Sequence, residues 1–573
     1  MKENARRRLP AMLALLLATA VVLLFAARGG KTYDTADFQQ KVALLREEAL
    51  ADWVRGELGD CPAGDAGQVV FLSVSDGSAR ANVWHASGET LDEAWDNAVS
   101  AADAALQRTG REPRWVKADL VYLSGSFTGQ ELKEALEYSE AGFFYYGAAM
   151  DGQFETACLE AELNTASVYQ YENGGIDRDA LNRYLKQNGQ EALPALPDTY
   201  RLFRTAGWLC DENSSVMRLS ASGQDYGRRL TENVDAALAQ SVVKSAAAWL
   251  VRQQQRDGSI PTQPRSRSAS PTVHARALSA MISAYRLSLD NTLESAIDSA
   301  AAWLAKQIQY DGDRAYLRAN SSFLIEGGAE AASALAMYMD VFHNDDYLKE
   351  CRALAEGVRF MLESSAYTLD KDFSPMEREY SPAYDGAAIE ALCRVYGLTG
   401  DEAYLEAAQA AADRAISEEN NSGNAQLTVA VDLLSQYVPG NASYYVFVFE
   451  SAQKQLETYY ELDITAPDGL PLLLSSYQAY DRMKGYGGSA EGFYLEPLIR
   501  TILSRAQRQL DGYLFPEYAM YREAPDQALG AFMIREEGMR IDTDVVCRNI
   551  QGYVLYADNY EKLVADGLLE SGE

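Results

Sequence analysis

The chain has 573 residues, of which 47% are hydrophobic and 10% aromatic, so it is long enough for two or three domains with large cores. Its formal net charge is −32 at pH 7. A surface this acidic excludes general binding to nucleic acid or anionic lipid, because both need a basic footprint. A local arginine cluster would still allow an acidic ligand.

The N-terminus carries an uncharged stretch from Leu9 to Ala27 behind the basic residues Lys2 and Arg6–Arg8. Its length matches the roughly 20 apolar residues that cross a bilayer. We therefore predict that residues 1–30 form a cytoplasmic stub and a single-pass membrane anchor, with the rest extracytoplasmic. A cleaved signal peptide is the alternative, but Leu24–Arg28 is a poor cleavage site.

Residues 31–225 alternate between strand-like and helix-like segments, which predicts a small α+β domain. Gly29 to Asp37 is predicted to be a linker. Asp76-Gly77 between two apolar runs is typical of a β-hairpin, because this pair tolerates a turn with positive φ. The predicted elements are strands at 69–74, 79–84, 116–123 and 200–209, and helices at 90–108, 129–138, 151–164 and 177–187.

From about residue 230 to 573 the chain consists of Ala- and Leu-rich helical segments with an internal repeat. The fourteen residues Ser245–Gly258 recur as Ser299–Gly312, with ten positions identical at a spacing of 54. A weaker copy of the Gln/Asp-Gly turn occurs at Gln509–Gly512. A period near 55 is the length of one αα-hairpin, so this region has room for about six hairpins.

The Trp…Gln…Asp-Gly turns at this spacing resemble those of α/α toroids, which include six-hairpin glycosidases, uronic-acid epimerases and lyases, and terpenoid cyclases. The resemblance covers roughly residues 240–573 and implies a mainly α protein with a closed ring of about six helical hairpins. It also implies a carbohydrate-related role. An open solenoid is the alternative, but the apolar, aromatic segment near 543–560 is unlike a polar solenoid cap.

Two acidic residues begin helices at equivalent places in successive repeats. Glu326 precedes Gly327-Gly328, and Asp385 lies among the tyrosines Tyr380 and Tyr384. Two carboxylates at one mouth of the ring are what glycoside hydrolysis needs, and the tyrosines could stack on sugar faces. The plainer alternatives are an acid that favours the helix dipole for Glu326 and an N-cap for Asp385.

A third candidate segment is Arg540-Ile-Asp542-Thr-Asp544. Ring closure would bring it beside the first repeat, near His274 and Arg276. Either arginine could bind a uronate group with two parallel hydrogen bonds, and Asp542 would line the same substrate site. The alternatives are a salt-bridge cluster that ties the ring shut and, for His274, a structural hydrogen bond.

Motifs for other chemistries are absent: the sequence has no nucleotide loop on a strand–helix unit, no HExxH and no GxSxG. The six cysteines have no metal-like spacing, so we expect buried free thiols, no metal and no cofactor.

Three functions therefore remain open. The first is a membrane-anchored glycoside hydrolase acting on a polysaccharide in exopolysaccharide or cell-envelope metabolism, with Glu326 and Asp385 as the acid–base pair. The second is a uronate lyase or epimerase that uses Tyr384 or His274 for proton transfer and Arg540 to neutralise the carboxylate. The third is a non-catalytic glycan-binding or scaffold subunit of an envelope complex. The expected partners are a polysaccharide, the membrane and other envelope-biosynthesis proteins.

Overall fold

The computed structural model describes residues 35–54, 67–137, 139, 143–151, 154–171, 174–221, 226–231, 233–319, 321–377, 380–461, 464–486 and 495–571. They form two compact units. The first comprises the described residues up to Ala135, Tyr145–Arg229 and Met520–Pro525, and the second comprises Leu136–Phe144, Leu230–Ala519 and the described residues from Asp526 onward. Each unit thus includes one short segment that is distant in sequence from its main part.

The first unit is an α+β fold around a seven-stranded antiparallel sheet with the order β2-β1-β3-β6-β4-β5, in which β7 pairs with β6. Its elements in chain order are α1 (Thr35–Val54), β1 (Gln68–Ser75), β2 (Asn82–Gly88), α2 (Leu91–Thr109), β3 (Trp115–Thr128), α3 (Gly129–Glu137), β4 (Gly147–Ala149), β5 (Ala157–Cys158), α4 (Glu160–Thr165), α5 (Arg178–Gln187), β6 (Thr199–Cys210) and β7 (Val216–Arg218).

The predicted hairpin and the helix after it are confirmed. Strands β1 and β2 pair antiparallel, and Gly77 in their turn has a φ of 83°. Thr90 caps α2 by accepting a hydrogen bond from the backbone N–H of Glu93. The buried face of α2, which includes Ala94 and Trp95, joins the core formed with the sheet.

Two of the predicted segments of this unit are wrong in part. The predicted linker extends to Asp37, whereas α1 begins at Thr35 and buries Phe38 in the core. In place of the helix predicted at 151–164, the structure has a turn, the short strand β5 and the six-residue helix α4. The carboxylate of Asp151 accepts hydrogen bonds from the N–H groups of Glu155 and Thr156, which holds this segment in a turn.

The second unit is mainly helical. Its helices are α6 (Ala236–Gln253), α7 (Pro271–Ser288), α8 (Glu294–Ala305), α9 (Ile325–Phe342), α10 (Leu348–Glu363), α11 (Pro382–Thr399), α12 (Glu402–Ile416), α13 (Ala425–Tyr437), α14 (Ala442–Glu461), α15 (Gly469–Gly485), α16 (Leu495–Gln509), α17 (Pro516–Ala519), α18 (Pro525–Ala528) and α19 (Thr543–Ser571). Pro525, the first residue of α18, is grouped with the first unit.

Six of these helices form a closed inner ring, because α7, α9, α11, α13, α15 and α19 each pack against the next and α19 packs back against α7. Helices α6, α8, α10, α12, α14 and α16 lie outside, each against inner helices. At the seam, the N–H of Thr543 donates to the carbonyl of Thr262 at 2.9 Å, and its Oγ1 donates to the carbonyl of Pro261 at 2.6 Å. The predicted α/α toroid of six hairpins is confirmed, and the open solenoid is excluded.

Two loop glycines pack in the same way at two places of the ring: Gly258, which ends the first copy of the repeat, and Gly530, which lies outside the repeat. A Cβ on Gly258 would lie 2.3 Å from the carbonyl oxygen of Ser299, and a Cβ on Gly530 would lie 2.9 Å from that of Ser245. Ser245 and Ser299 are the first residues of the two copies of the repeat. A glycine with positive φ therefore lets each loop approach the backbone of an outer helix closely.

The toroid also carries short strands that the helical pattern does not predict. A five-stranded antiparallel sheet has the order β12-β11-β10-β9-β8, and a small hairpin precedes α19. Their bounds are β8 (Ile308–Asp311), β9 (Arg314–Ala319), β10 (Ser322–Leu324), β11 (Thr368–Leu369), β12 (Pro375–Met376), β13 (Met533–Ile534) and β14 (Arg540–Ile541).

The predicted membrane anchor, Leu9–Ala27, lies outside the described residues. Of the helices in the part of the chain that the structure describes, none has both the length and the apolar character needed to span a bilayer. The cysteine prediction is confirmed where it can be observed: Cys158, Cys210, Cys351, Cys393 and Cys547 are buried free thiols. Cys61 falls outside the described residues.

Candidate functional site

The inner ring encloses a central cavity of about 210 Å³ to which residues of all six inner helices contribute. Charged and hydroxyl-bearing side chains dominate its wall. The lining residues are Arg276, Ser279, Ser283, Arg286, Glu330, Ser333, Met337, Glu390, Arg394, Ala425, Gln426, Val429, Asp468, Pro471, Arg548, Gln551, Val554 and Leu555.

Arg276 of α7 is the centre of an ion-pair cluster at the N-terminal end of the inner helices. Its Nε lies 2.8 Å from Oε1 of Glu330, one terminal nitrogen lies 2.8 Å from Oδ1 of Asp544, and the other pairs with Glu326. Arg548 extends the cluster, since it lies 2.9 Å from both Asp544 and Asp468. The cluster joins α7 to α9 and α19, so it lies across the seam of the ring.

Two carboxyl groups of this cluster, Glu330 and Asp544, have pKa values shifted in opposite directions. Burial raises the pKa of Glu330, with further contributions from the charges of Glu390 and Glu326, and Arg276 opposes the rise. Asp544 behaves in the opposite way: burial alone would raise its pKa, but Arg276 and Arg548 lower it below the ordinary value. Two carboxyl groups whose pKa values are shifted in opposite directions thus share one arginine.

Glu390 of α11 is the second carboxylate that lines the cavity. Its Oε1 accepts hydrogen bonds from Nε and a terminal nitrogen of Arg394, at 2.9 and 2.7 Å. Its charge acts on Glu330 across the cavity. The amide of Gln426 also reaches Glu330, at 3.3 Å from Oε1. Glu330 and Glu390 therefore form a pair of interacting carboxyl groups inside the ring.

Asp385 lies in the first turn of α11, and Glu326 lies in the first turn of the neighbouring helix α9. Their carboxylates nevertheless join different clusters. Asp385 is fully buried; Arg414 donates to its Oδ1 at 2.9 Å, and the hydroxyl of Tyr380 donates to its Oδ2 at 2.9 Å. The hydroxyl of Tyr367 also donates to Oδ1, at 3.3 Å.

The two tyrosines predicted to contact sugar flank this buried carboxylate. Tyr367 packs against both, with ring centroids 5.4 Å from Tyr380 and 5.8 Å from Tyr384. Tyr380 is 39% exposed, and burial together with the charge of Asp385 raises the pKa of its hydroxyl. The carboxylate of Asp385 therefore holds Tyr380 and Tyr367 by hydrogen bonds, and Tyr384 packs against Tyr367.

His274 lies inside the protein, with no exposed surface. Its Nδ1 accepts a hydrogen bond from the N–H of Ile260 at 3.1 Å, and its Nε2 donates to the carbonyl of Ala300 at 2.9 Å. Burial lowers its pKa to about 4. In this arrangement both ring nitrogens hold backbone groups, so neither is available for the proton transfer that the sequence suggested.

The segment predicted to close the ring does so through Asp544. Arg540 is 57% exposed and pairs with Glu537 at 3.3 Å. Asp542 accepts a hydrogen bond from the N–H of Asp544 at 3.0 Å and so caps the start of α19. Of the residues predicted to bind substrate, only Arg276 lines the cavity.

Sequence reasoning gave no role to Glu330 and did not single out Glu390. One signal was available for Glu330: it stands 54 residues after Arg276, which is the period of the repeat, so the two occupy equivalent positions on neighbouring inner helices. The sequence gives no comparable signal for Glu390, which lies in the middle of an apolar helix. Within the described ranges, no group of three or more His, Cys, Asp or Glu residues is arranged to hold a metal ion.

No protein-family model matches the chain, and no curated protein sequence is significantly similar to it. Similar solved structures include cellobiose 2-epimerase from Bacillus thermoamylovorans, with 12% identity, a TM-score of 0.44, and 56% of this chain and 99% of that chain covered. An α-1,6-mannanase from Salegentibacter sp. matches with 12% identity, a TM-score of 0.40, and coverage of 56% and 99%. A family 76 glycoside hydrolase from a bovine Bacteroides thetaiotaomicron strain has 12% identity, a TM-score of 0.40, and coverage of 78% and 97%. The toroid assignment rests on the helix contacts described above, and these similarities are too distant to bear on activity.

Proposed function

We propose that the toroid binds a carbohydrate in its central cavity and hydrolyses a glycosidic bond there. The observation that supports this proposal is the pair Glu330 and Glu390, two interacting carboxyl groups on neighbouring inner helices that line one cavity. Glycoside hydrolysis uses one carboxylic acid to protonate the leaving oxygen and a second carboxylate as base or nucleophile.

The environments of the two groups suggest which role each takes. Burial raises the pKa of Glu330, and a raised pKa favours this group as the acid that protonates the leaving oxygen. Arg276 and Gln426 hold its Oε1 and orient the carboxyl group. Glu390, whose carboxylate pairs with Arg394 on the same helix, would act as base or nucleophile.

The sequence suggests a different catalytic pair, Glu326 and Asp385. One experiment distinguishes the two proposed pairs. The purified full-length chain is incubated with a panel of surface polysaccharides and oligosaccharides, and the products are analysed by mass spectrometry. We expect cleavage that falls by at least about a hundredfold in Glu330→Gln and in Glu390→Gln. Loss in Asp385→Asn and Glu326→Gln, with Glu330→Gln still active, would favour the other pair. An absence of cleavage across the panel would contradict the enzymatic proposal.

A non-catalytic glycan-binding or scaffold role is the second candidate, and the cluster around Arg276 favours it. The cluster contains two arginines and four carboxylates, namely Glu326, Glu330, Asp468 and Asp544. Ion pairs of this kind would stabilise the closed ring without taking part in a reaction. Binding of a polysaccharide without any product would support this role.

The cellular setting is proposed from the sequence alone. Leu9–Ala27, behind Arg6–Arg8, would anchor the protein with both units outside the cytoplasm, where it would take part in exopolysaccharide or cell-envelope metabolism. Cell fractionation of the full-length chain and of a chain lacking residues 1–30 tests this. The proposal predicts membrane association only for the full-length chain, and protease added to intact spheroplasts should digest it. Full protection from protease would contradict the orientation.

A further inference from the structure

One buried hydroxyl group in the central cavity has no partner in the described protein. Ser279 of α7 is 3% exposed and lines the cavity, yet its Oγ makes no hydrogen bond. A serine inside a helix commonly bonds to a carbonyl of the preceding turn, and a buried hydroxyl that bonds to nothing costs free energy. A polar ligand in the cavity would satisfy this group.

Neighbouring positions extend the hydroxyl-bearing surface. Ser333 of α9 is 4% exposed and stands 54 residues after Ser279, at the equivalent place on the next inner helix. Each serine lies three residues after a member of the Arg276–Glu330 pair, which is about 4.5 Å along its helix. Ser279 and Ser333 therefore line the same cavity as Glu330, the carboxyl group proposed as the acid.

The charges of the cavity wall indicate an uncharged ligand. Each lining arginine has a carboxylate nearby: Arg394 lies 2.7 Å from Glu390, Arg548 lies 2.9 Å from Asp468, and Arg276 lies 2.8 Å from Glu330. Arg286, the fourth, lies 4.0 Å from Asp558. An acidic sugar would have to displace one of these carboxylates or remain uncompensated in a buried site.

Size and apolar surface limit the ligand further. The cavity volume of about 210 Å³ suits a ligand of about the size of one sugar ring. Met337, Val429 and Val554 supply apolar wall for the C–H face of such a ring. A glycan would place one ring there, and its terminal ring is the one that needs no second opening.

We infer that the cavity is a subsite for a single uncharged pyranose at the end of a glycan, with Ser279 and Ser333 as residues that bind its hydroxyl groups. This inference rests on the proposed function and deepens it, because it predicts release of monosaccharides from chain ends and discrimination against uronates.

The test compares binding of neutral and acidic monosaccharides to the purified full-length chain by saturation-transfer NMR. Glucose, mannose and galactose are the neutral probes, and glucuronate, mannuronate and galacturonate are their acidic counterparts. We expect at least one neutral sugar to bind at least about tenfold more tightly than its uronate. Equal or tighter binding of the uronate, or no binding by any neutral sugar, would overturn the inference.

Variants locate the binding. Ser333→Leu and Ser283→Leu fill the cavity from two different helices and should abolish the signal, whereas Ser279→Ala removes one hydroxyl group and should weaken binding about fivefold. Ser295→Leu, at an exposed serine of α8, is the control and should bind as the wild type does. Thermal unfolding verifies that each variant folds. Wild-type affinity in both folded cavity-filling variants would contradict the site.

The same measurements separate the two proposals. Binding of a neutral monosaccharide without hydrolysis of any glycan would retain the subsite and contradict the enzymatic function. Hydrolysis inside oligosaccharide chains, without monosaccharide among the first products, would retain the enzyme and overturn the chain-end subsite.

Discussion

Nε of Arg276 donates a hydrogen bond of 2.8 Å to Oε1 of Glu330, and the two residues stand one repeat period, 54 positions, apart. The repeat therefore places opposite charges at equivalent positions of two neighbouring inner helices. The same guanidinium group reaches Asp544 on the last helix, so a single side chain links the first two inner helices to the closing one.

Replacement of Arg276 by Met should destabilise the toroid strongly. The variant leaves the carboxylates of Glu326, Glu330 and Asp544 without their common cation, and breaking a buried ion pair from one side typically costs about 3–5 kcal/mol. Urea unfolding followed by circular dichroism measures the loss. The deficit should shrink toward acidic pH, because protonation of these carboxylates removes their repulsion.

Arg540→Met is the matched control, because Arg540 is 57% exposed and pairs only at the surface, with Glu537. Arg540→Met should change the free energy of unfolding by no more than about 1 kcal/mol. Similar losses for the two arginine variants would show that the seam cluster does not stabilise the ring.

The two copies of the Asp-Gly turn provide a matched pair of glycine variants. Gly258 has a φ of 94°, and a Cβ there would lie 2.3 Å from the carbonyl oxygen of Ser299; Gly312 has a φ of 64° and open space around it. Gly312→Ala should therefore cost only the left-handed backbone strain, about 1–2 kcal/mol. Gly258→Ala adds the steric overlap, another 1–3 kcal/mol or so.

Thermal and urea unfolding of both glycine variants measure this difference. Equal destabilisation by the two variants would contradict the close approach of Gly258 to the carbonyl oxygen of Ser299.

The first unit should lose stability as pH rises from about 4.5 to 7. Burial raises the pKa values of Glu160 and Glu162 to about 7, although Lys117 opposes the shift of Glu160 and Tyr184 that of Glu162. The folded state then keeps protons that the unfolded state releases near pH 4.5. Its stability therefore falls between about pH 4.5 and 7, by at most about 1.4 kcal/mol per pH unit for each group.

Glu162→Gln removes one of these titrations, so its unfolding free energy should depend less steeply on pH between 5 and 7. Glu131→Gln is the control. Hydrogen bonds from Thr128 lower the pKa of Glu131, so this group stays ionised throughout the window and its variant should keep the wild-type slope. A slope that is unchanged in Glu162→Gln would contradict the assignment.

Variants at Tyr521 test whether the segment Met520–Pro525 stabilises the first unit. Its side chain is fully buried, its hydroxyl lies 2.8 Å from Oγ of Ser73, and its ring lies 5.4 Å from the amine of Lys117. Tyr521→Phe should cost about 1–2 kcal/mol and Tyr521→Ala about 3–5 kcal/mol, measured by urea unfolding with hydrogen exchange of β1 as the local probe. Unchanged exchange in β1 for Tyr521→Ala would contradict this.

The sequence was most informative where a local pattern has one physical solution. The Asp76-Gly77 turn between apolar runs and the cap at Thr90 specify their elements without help from distant residues. The repeat of Ser245–Gly258 at 299–312 likewise predicts stacked hairpins, since a single hairpin cannot bury its apolar face alone.

The site could be predicted only in part, because side-chain direction depends on packing between helices. Asp385 and Glu326 do begin neighbouring inner helices, but Asp385 turns to Arg414 of an outer helix and Glu326 to Arg276. Glu390 reaches the cavity from the middle of an apolar helix, where the sequence shows only a polar interruption. The segment at 520–525 shows no sign in sequence that it joins the first unit.

Carbohydrate binding and hydrolysis in the central cavity are tested most sharply by a crystal structure of the Glu330→Gln variant with an oligosaccharide that the wild-type chain binds or cleaves. We expect electron density for the terminal sugar ring inside the toroid, with the carboxylate of Glu390 and the side-chain amide at position 330 within hydrogen-bonding distance of the scissile bond. Density beside Tyr380 and Tyr384 or elsewhere on the surface, with an empty central cavity, would contradict it.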